Sequence, residues 1–345
     1  MSSRSKVTIG DVARHAGVSK GTVSLAFSGK RPVSEETRTR IFDAAEALNW
    51  TASHRARALA TSRTGAIGLV VARDPQVLAT DAFFSAFISG CEQVLAEHEM
   101  GLMLHAVTTT EAEHEVYERL AAGRADGVIL LDVEIEDPRF ALVQRLGLPA
   151  VVLSAREPAD GETADLPTVF TDDSPAVTEL VGLMAEAGHT RIAHVAGPAH
   201  YVHGRIRREA FSAAMRARGL DDGLVVEGDF TASSGREATA RLLDLAAPPT
   251  AILYANDMMA IAGLSLARSR GLRVPEDLSL SGYDDSELSA HLSPALTTVS
   301  TGAVQRGVLA VTTLLAAIAG EEPGAILADH TTVVPRGSIA PPPRA

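Results

Sequence analysis

From Ala66 onward the chain alternates between two hydrophobic periods. Short continuous apolar runs appear at "AIGLVVA", "GLMLHAV", "GVILLD", "AVVLSA", "RIAHVAG", "AILYA" and "LSLSGYD". Between most of them lie helix-period stretches, such as Phe83 to His98 and Glu209 to Arg218. A short run that is apolar throughout suits a strand buried on both faces. Strands of that kind alternating with helices require parallel, doubly wound sheets covered by helices on both sides. The length of residues 66–340 suits two such lobes rather than one. The polar break "REPADGETADLPT", Arg156 to Thr168, is the natural place for the chain to cross between them.

The first 50 residues follow a different rule. A helix over Ile9 to Ala16 places Val12, Ala13 and Ala16 on one face, and Gly17 ends it. Ser19 is suited to cap a second helix that turns Val23, Ala26 and Phe27 inward. Ser34 caps a third, with Glu35 and Glu36 in its first turn and Ile41, Ala44, Ala45 and Leu48 at helical spacing. Three short helices with a sharp turn between the first two describe a helix-turn-helix unit. The outward face of the second helix carries Lys20, Gly21, Thr22, Ser24, Leu25 and Ser28, which are small, polar and weakly basic. Such a face can approach base edges. Lysine reaches guanine acceptors or phosphate, hydroxyls reach either, and leucine touches a thymine methyl. Thr8, at the start of the first helix, is a further DNA-contact candidate. A solvated face of a small helical bundle is the alternative.

Charge favours the DNA reading. The chain of 345 residues has a net charge of −12, but residues 1–65 hold eleven Lys+Arg against five Asp+Glu. All three lysines, Lys6, Lys20 and Lys30, lie in the first 30 residues. A basic head on an acidic body suggests that the head meets a polyanion. Next comes "TASHRARALATSRTG", in which Ser53 can cap a short helix from His54 to Ala60 bearing Arg55, Arg57 and Leu59. Arginines on phosphates with an apolar side chain between them suit a minor-groove wedge; a helical spacer with a self-packed leucine is the alternative.

Ligands of doubly wound sheets bind beyond the carboxyl ends of the strands. Arg205, Arg207 and Arg208 follow one such strand, and Phe230 follows another. Asn256 and Asp257 follow a third, and Asp284 and Asp285 a fourth. Taken singly, each residue suits a surface ion pair or a helix cap. Together they offer a guanidinium, an amide, carboxylates and an aromatic face, a set suited to a polyol.

"VTIGDVARHAGVSKGTVS", "VSEETRTRI", "ALNW" and "ARALATSRTGAIGLV" closely resemble the N-terminal module of the LacI/GalR family of bacterial transcription regulators. "GPAHYVHGRIRREAF", "EGDFTASSG", "ANDMMAIAGL" and "GYDDSELSAHLSPALTTV" resemble its effector domain, itself akin to periplasmic sugar-binding proteins. The resemblance covers nearly the whole chain. It implies a helix-turn-helix domain over 1–51, a hinge helix and linker over 52–65, and a two-lobed α/β effector and dimerisation domain over 66–340. Lobe one is then about 66–158 and 299–321, and lobe two about 159–298 and 322–340, with crossings near 158, 298 and 321. It implies that Leu59 enters the minor groove and that the start of the second helix chooses the operator. Gly21 and Leu25 depart from the side chains many members carry there. It also implies that Arg207 grips the effector, facing Asp257 across the cleft, with Phe230 as a stacking platform. Asp285 stands where members often have asparagine. Arg156 and Phe84 are candidates from lobe one.

The expected protein is a sequence-specific DNA-binding regulator, a repressor, on a pseudo-palindromic double-stranded operator. It works as a homodimer in the bacterial cytoplasm and is controlled by a small-molecule effector, a sugar first. The alternatives are an anionic or phosphorylated metabolite, welcomed by Arg205, Arg207 and Arg208, or a sugar receptor without DNA function. One cysteine, Cys91, allows no internal disulfide and no thiolate metal cluster. No apolar run approaches the roughly 18 residues of a membrane span, and the start has no signal-peptide core. Phosphate-loop, dinucleotide, serine-hydrolase and zinc-protease motifs are missing. An enzyme and a cofactor are therefore not expected.

Overall fold

The computed structural model describes residues 7–28, 33–50, 63–156, 158–159, 163, 165–328 and 331–343. The hinge candidates His54, Arg55, Arg57 and Leu59 lie outside these, as does the side chain of Ser28.

The head contains α1 (Ile9–Ala16), α2 (Lys20–Ser28) and α3 (Glu35–Ala47). Helix α1 starts where Thr8 donates from its backbone N–H and its hydroxyl to Asp11 Oδ2, at 2.9 and 2.7 Å. These bonds, the hydroxyl's foremost, hold the Asp11 carboxyl below its usual pKa. The helix ends at Gly17, whose φ of 65° is the left-handed conformation glycine adopts without strain. Ser19 then accepts from Thr22 N–H at 3.0 Å and opens α2. Val12, Ala13, Ala16, Val23, Ala26, Ile41, Ala44 and Ala45 form one small core. Phe27 closes its edge against Phe42 and Trp50, with ring centroids at 4.9 and 5.3 Å.

The body is built on two parallel sheets. The first comprises β1 (Ala66–Ala72), β2 (Gly101–Val107), β3 (Gly127–Leu130), β4 (Ala150–Ser154), β5 (Thr168–Phe170) and β11 (Ala325–Leu327), in the order β11-β5-β4-β3-β1-β2. Its central strands are wholly buried, as their unbroken apolar runs require. The second comprises β6 (Ile192–Ala196), β7 (Val225–Glu227), β8 (Ala251–Tyr254) and β9 (Ser279–Ser281), in the order β7-β6-β8-β9. Beside it, β10 (Thr298–Ser300) pairs antiparallel with β12 (Thr332–Val334).

In lobe one, α4 (Pro75–Thr80), α5 (Ala82–Glu97), α6 (Thr110–Ala121), α7 (Pro138–Leu146) and α13 (Ala303–Ile318) cover the first sheet. Lobe two uses α8 (Ser174–Glu186), α9 (Val202–Ala217), α10 (Ala232–Leu243), α11 (Asp257–Ser269) and the short α12 (Glu287–His291). Helix α9 begins seven residues before the expected Glu209, because the turn through Gly204 is already helical.

The pairing of strands moves two of the expected crossings. Thr168–Phe170 pairs with β4, and Ala325–Leu327 pairs with β5. Lobe one therefore keeps the chain past residues 158 and 321. The chain leaves it after Phe170, re-enters between Ser300 and Ala303, and leaves again after Leu327. The returning helix α13 lies backbone to backbone on α5, since a Cβ on Gly90 would sit 2.0 Å from Val304 O.

Candidate functional site

Two surfaces carry chemistry. On the head, Val23 is fully buried and Ala26 nearly so. This turns Lys20 and Gly21 to solvent and leaves Thr22, Ser24 and Leu25 half-buried at the rim of α2. The Lys20 side chain folds over the start of α1: a Cβ on Gly10 would lie 3.0 Å from Lys20 Cε and 3.4 Å from Thr8 Oγ1. The exposed Thr8 and Lys20 thus meet at the N-terminal ends of α1 and α2, where the helix dipoles favour a phosphate. The Thr22 hydroxyl is 2.8 Å from that of Ser19.

On the body, a cavity of about 550 Å³, counting its mouth, opens between the lobes. Its wall is set by residues just past strand ends. Arg73 follows β1 and is gripped by Asp132, beyond β3, through Nε at 2.6 Å and Nη2 at 2.5 Å. Its guanidinium stacks 4.6 Å from the rings of both Tyr201 and Phe230. Arg207, on α9, donates from Nε to Asp173 at 2.7 Å and from Nη1 to Ala255 O at 3.0 Å. It lies 3.7 Å from the centre of the Tyr283 ring. Burial opposes both charges, but the paired carboxylates outweigh it and hold both guanidinium pKa values above normal.

Phe230 and Asp284 hold positive φ angles of 70° and 99° in the wall, conformations that cost side-chain-bearing residues energy. Gly197 makes room for the Phe230 ring, because a Cβ there would approach its Cζ to 2.3 Å. Burial first, then the nearby Asp81 carboxylate, pushes the Asp284 carboxyl well above the usual range.

Among the described residues, four hydrogen bonds join the lobes beside the cavity. Asn256 Nδ2 donates to Asp81 Oδ2 at 3.1 Å, and Arg73 Nη2 meets His203 Nε2 at 3.3 Å. Val202 N–H donates to Val133 O at 2.8 Å, and Ile135 N–H to His200 O at 3.1 Å. The Arg73 contact requires Nε2 to accept, so His203 is neutral. Burial first, then the Arg73 charge, holds its pKa well below normal.

Of the seven effector candidates, Phe84, Arg207 and Phe230 stand on the cavity wall. Asn256 sits behind it, capping α11 through Met259 N–H at 2.9 Å and holding Asp81. Asp257 does not face Arg207. Its carboxylate accepts from Ser286 N–H, Ser289 Oγ and Thr298 Oγ1 at 2.7, 2.7 and 2.6 Å, all within lobe two. Asp285 pairs with Arg336 at 2.5 Å, and Arg156 lies off the wall. Arg205 and Arg208 are also off the wall, with Arg205 3.8 Å from Glu209, so the three neighbouring arginines do not converge.

Sequence reasoning missed Arg73, Asp81, Asp132, Asp173 and Arg306 on the wall, named Asp284 only beside Asp285, and placed His203 near the arginines in a solvated or effector-contacting role without naming it as a site residue. Among the described residues no cluster of His, Cys, Asp or Glu is arranged to hold a metal ion. None of the described helices is long and apolar enough to cross a membrane.

Comparison with known proteins gives this geometry its relatives. A family model described as "Bacterial regulatory proteins, lacI family" matches residues 8–53, and one described as "Periplasmic binding protein-like domain" matches residues 181–339. The HTH-type transcriptional regulator CelR of Thermobifida fusca is 35% identical over 303 residues, 87% of this chain and 88% of that protein. The ribose operon repressor of Escherichia coli K12 is 33% identical over 315 residues, 89% of this chain and 92% of that one. The solved CelR–cellobiose complex superposes with a TM-score of 0.74 at 31% identity, over 96% of this chain and 100% of that one. The Lac repressor dimer bound to operator and the anti-inducer ONPF gives 0.82 at 28% identity, over 97% of this chain and 99% of that one. The chain belongs to the lacI family of bacterial regulatory proteins.

Proposed function

We propose that this protein is a sequence-specific DNA-binding transcriptional repressor whose operator affinity is set by a small sugar held between its lobes. One observation carries the reading: both lobes contribute to the wall of a single cavity, Arg73, Asp81 and Asp132 from one, and Asp173, Arg207, Phe230 and Asp284 from the other. A ligand that touches both lobes binds their closed arrangement better than any open one, and so shifts the equilibrium between them. The head rides on the same chain, so a change in lobe arrangement is available to move it. Relatives with sugar-related names, the CelR–cellobiose complex and the ribose operon repressor, support a sugar.

In this reading Lys20, Thr22, Ser24 and Leu25 reach base edges, and Thr8 holds a phosphate. His54, Arg55, Arg57 and Leu59 serve the minor groove at the operator centre. A single head reads one half-site, so two copies related by a two-fold axis read a pseudo-palindromic operator. The Lac repressor dimer on its operator is consistent with that arrangement.

Fluorescence anisotropy with labelled DNA from upstream of the protein's own gene tests the reading. Leu59→Ala should weaken specific binding and reduce bending without changing the melting temperature. Equal affinity of the intact protein for that DNA and for scrambled DNA would refute it.

A further inference from the structure

The cavity holds three guanidinium groups, and only two have a carboxylate. Arg73 has Asp132 and Arg207 has Asp173. The third, Arg306, projects from the first turn of α13 and is as buried as Arg207, each 7% exposed. Its Nη2 reaches only Ser154 O, at 3.4 Å, and its Nε has no partner. The Phe83 ring centre is 5.2 Å from its Cζ. No carboxylate of the described residues lies within ion-pair distance. An unpaired buried cation is among the most costly features a fold can keep, and a hydrophobic side chain of similar volume would stabilise the empty protein. Burial accordingly pulls the guanidinium pKa below normal, the reverse of Arg73 and Arg207.

We infer that Arg306 is the anchor for a carboxylate on the effector, and that the effector is a sugar acid, a uronate or an aldonate. The inference rests on the sugar reading above and narrows it. A planar guanidinium binds a carboxylate in a paired geometry. Among the described residues Arg306 has no carboxylate at ion-pair distance, so it has room to pair with one ligand carboxylate, while the Asp81, Asp173 and Asp284 carboxylates around the same cavity oppose a ligand of higher negative charge such as a phosphate. The remainder of the ligand meets groups suited to hydroxyls and a ring. No hydrogen bond to the Asp284 carboxylate comes from the described residues, and the Phe230 ring stands in the wall beneath the opposite lobe's Arg73 guanidinium.

The test is isothermal titration of the full chain with D-galacturonate, D-glucuronate and D-gluconate, with D-galactose and D-glucose as neutral counterparts, and with succinate and benzoate as acids that are not sugars. At least one sugar acid should bind about ten- to a hundredfold more tightly than its neutral counterpart, the range of one charge-assisted hydrogen-bonded pair. Arg306→Met should erase that preference, and Arg306→Lys should keep part of it. Free Arg306→Met should melt no lower than the parent protein, which separates loss of the anchor from loss of the fold. Neutral sugars binding as well as their acids, with Arg306→Met unchanged, would overturn the carboxylate anchor and leave the sugar reading standing. Succinate or benzoate binding through Arg306 while no sugar acid binds would overturn the sugar reading and keep the anchor. Binding of none of the seven would overturn both.

Discussion

The head and the body handle positive charge in opposite ways. The head leaves its cations in water: Lys20 is exposed, and Arg14 pairs with Asp11 through a side chain that is 80% exposed. The body buries Arg73, Arg139 and Arg207 with side-chain exposures of 7–8% and gives each a carboxylate at hydrogen-bond distance. Exposed charges are screened by salt and add little to a fold, whereas buried pairs are screened far less and are ruinous to break. The head's charges are exposed to a polyanion, while the body's orient a cavity. Arg306, buried and unpaired, fits neither pattern.

Salt should separate the two regions most strongly. If the paired heads neutralise about six phosphates, operator affinity falls about a thousandfold between about 50 and 200 mM salt. Ligand affinity, measured by titration over the same range, should change by no more than about threefold, because the cavity charges are buried. A flat operator response, or equal slopes for both, would break the contrast.

The buried pair comes next. Asp173→Ala strands Arg207 inside lobe two and should cost about 3–5 kcal/mol of body stability by calorimetry. Arg207→Ala should abolish the effector response while effector-free DNA binding stays measurable. A smaller cut sharpens the same comparison from the head: Ile41→Val removes one buried methylene and should cost about 1 kcal/mol of head stability, leaving ligand affinity untouched.

The smallest expected effect is that of pH. His203 has a folded pKa well below its ordinary value, so the unfolded or open state binds more protons between the two. Closure is therefore fully supported above the ordinary histidine pKa, about 6.5, and weakens as pH falls below it. Ligand affinity should drop severalfold between about pH 7.5 and pH 5.5, and the drop should be smaller in His203→Gln. An affinity that rises on acidification would reverse the sign.

The two regions also differed in how far they could be read from sequence. The head is local: Gly17, Ser19 and Ser34 punctuate it, and α1 falls at Ile9–Ala16 as periodicity alone predicts. The alternation of strands and helices likewise announced the two sheets. The cavity is not local. Arg207 and Asp173 are 34 positions apart, and Arg73 and Asp132 are 59 apart, so no spacing rule joins them. The signal that could have found them was position: Arg73, Asp132, Asp173 and Asp284 each lie within three residues of a strand's carboxyl end. Asp257 also meets that condition, but it begins α11 and turns back to brace the loop at Ser286, which only tertiary structure could reveal. The short strands β5 and β11 hid in polar surroundings and displaced two lobe boundaries. Arg306, inside a helix, carried no signal at all.

The coupling between cavity and head is tested most directly by reciprocity. An effector that changes operator affinity by some factor must find its own affinity changed by that same factor when operator is bound. Ligand titrations of the full chain, with and without saturating operator, measure this, using whichever sugar the binding panel selects. The expected result is a shift of about fivefold or more, of the size of ordinary allosteric coupling, in the free-energy sense that matches the operator measurement and absent in Arg207→Ala. Identical ligand affinities with and without operator would contradict control of the head by the cavity.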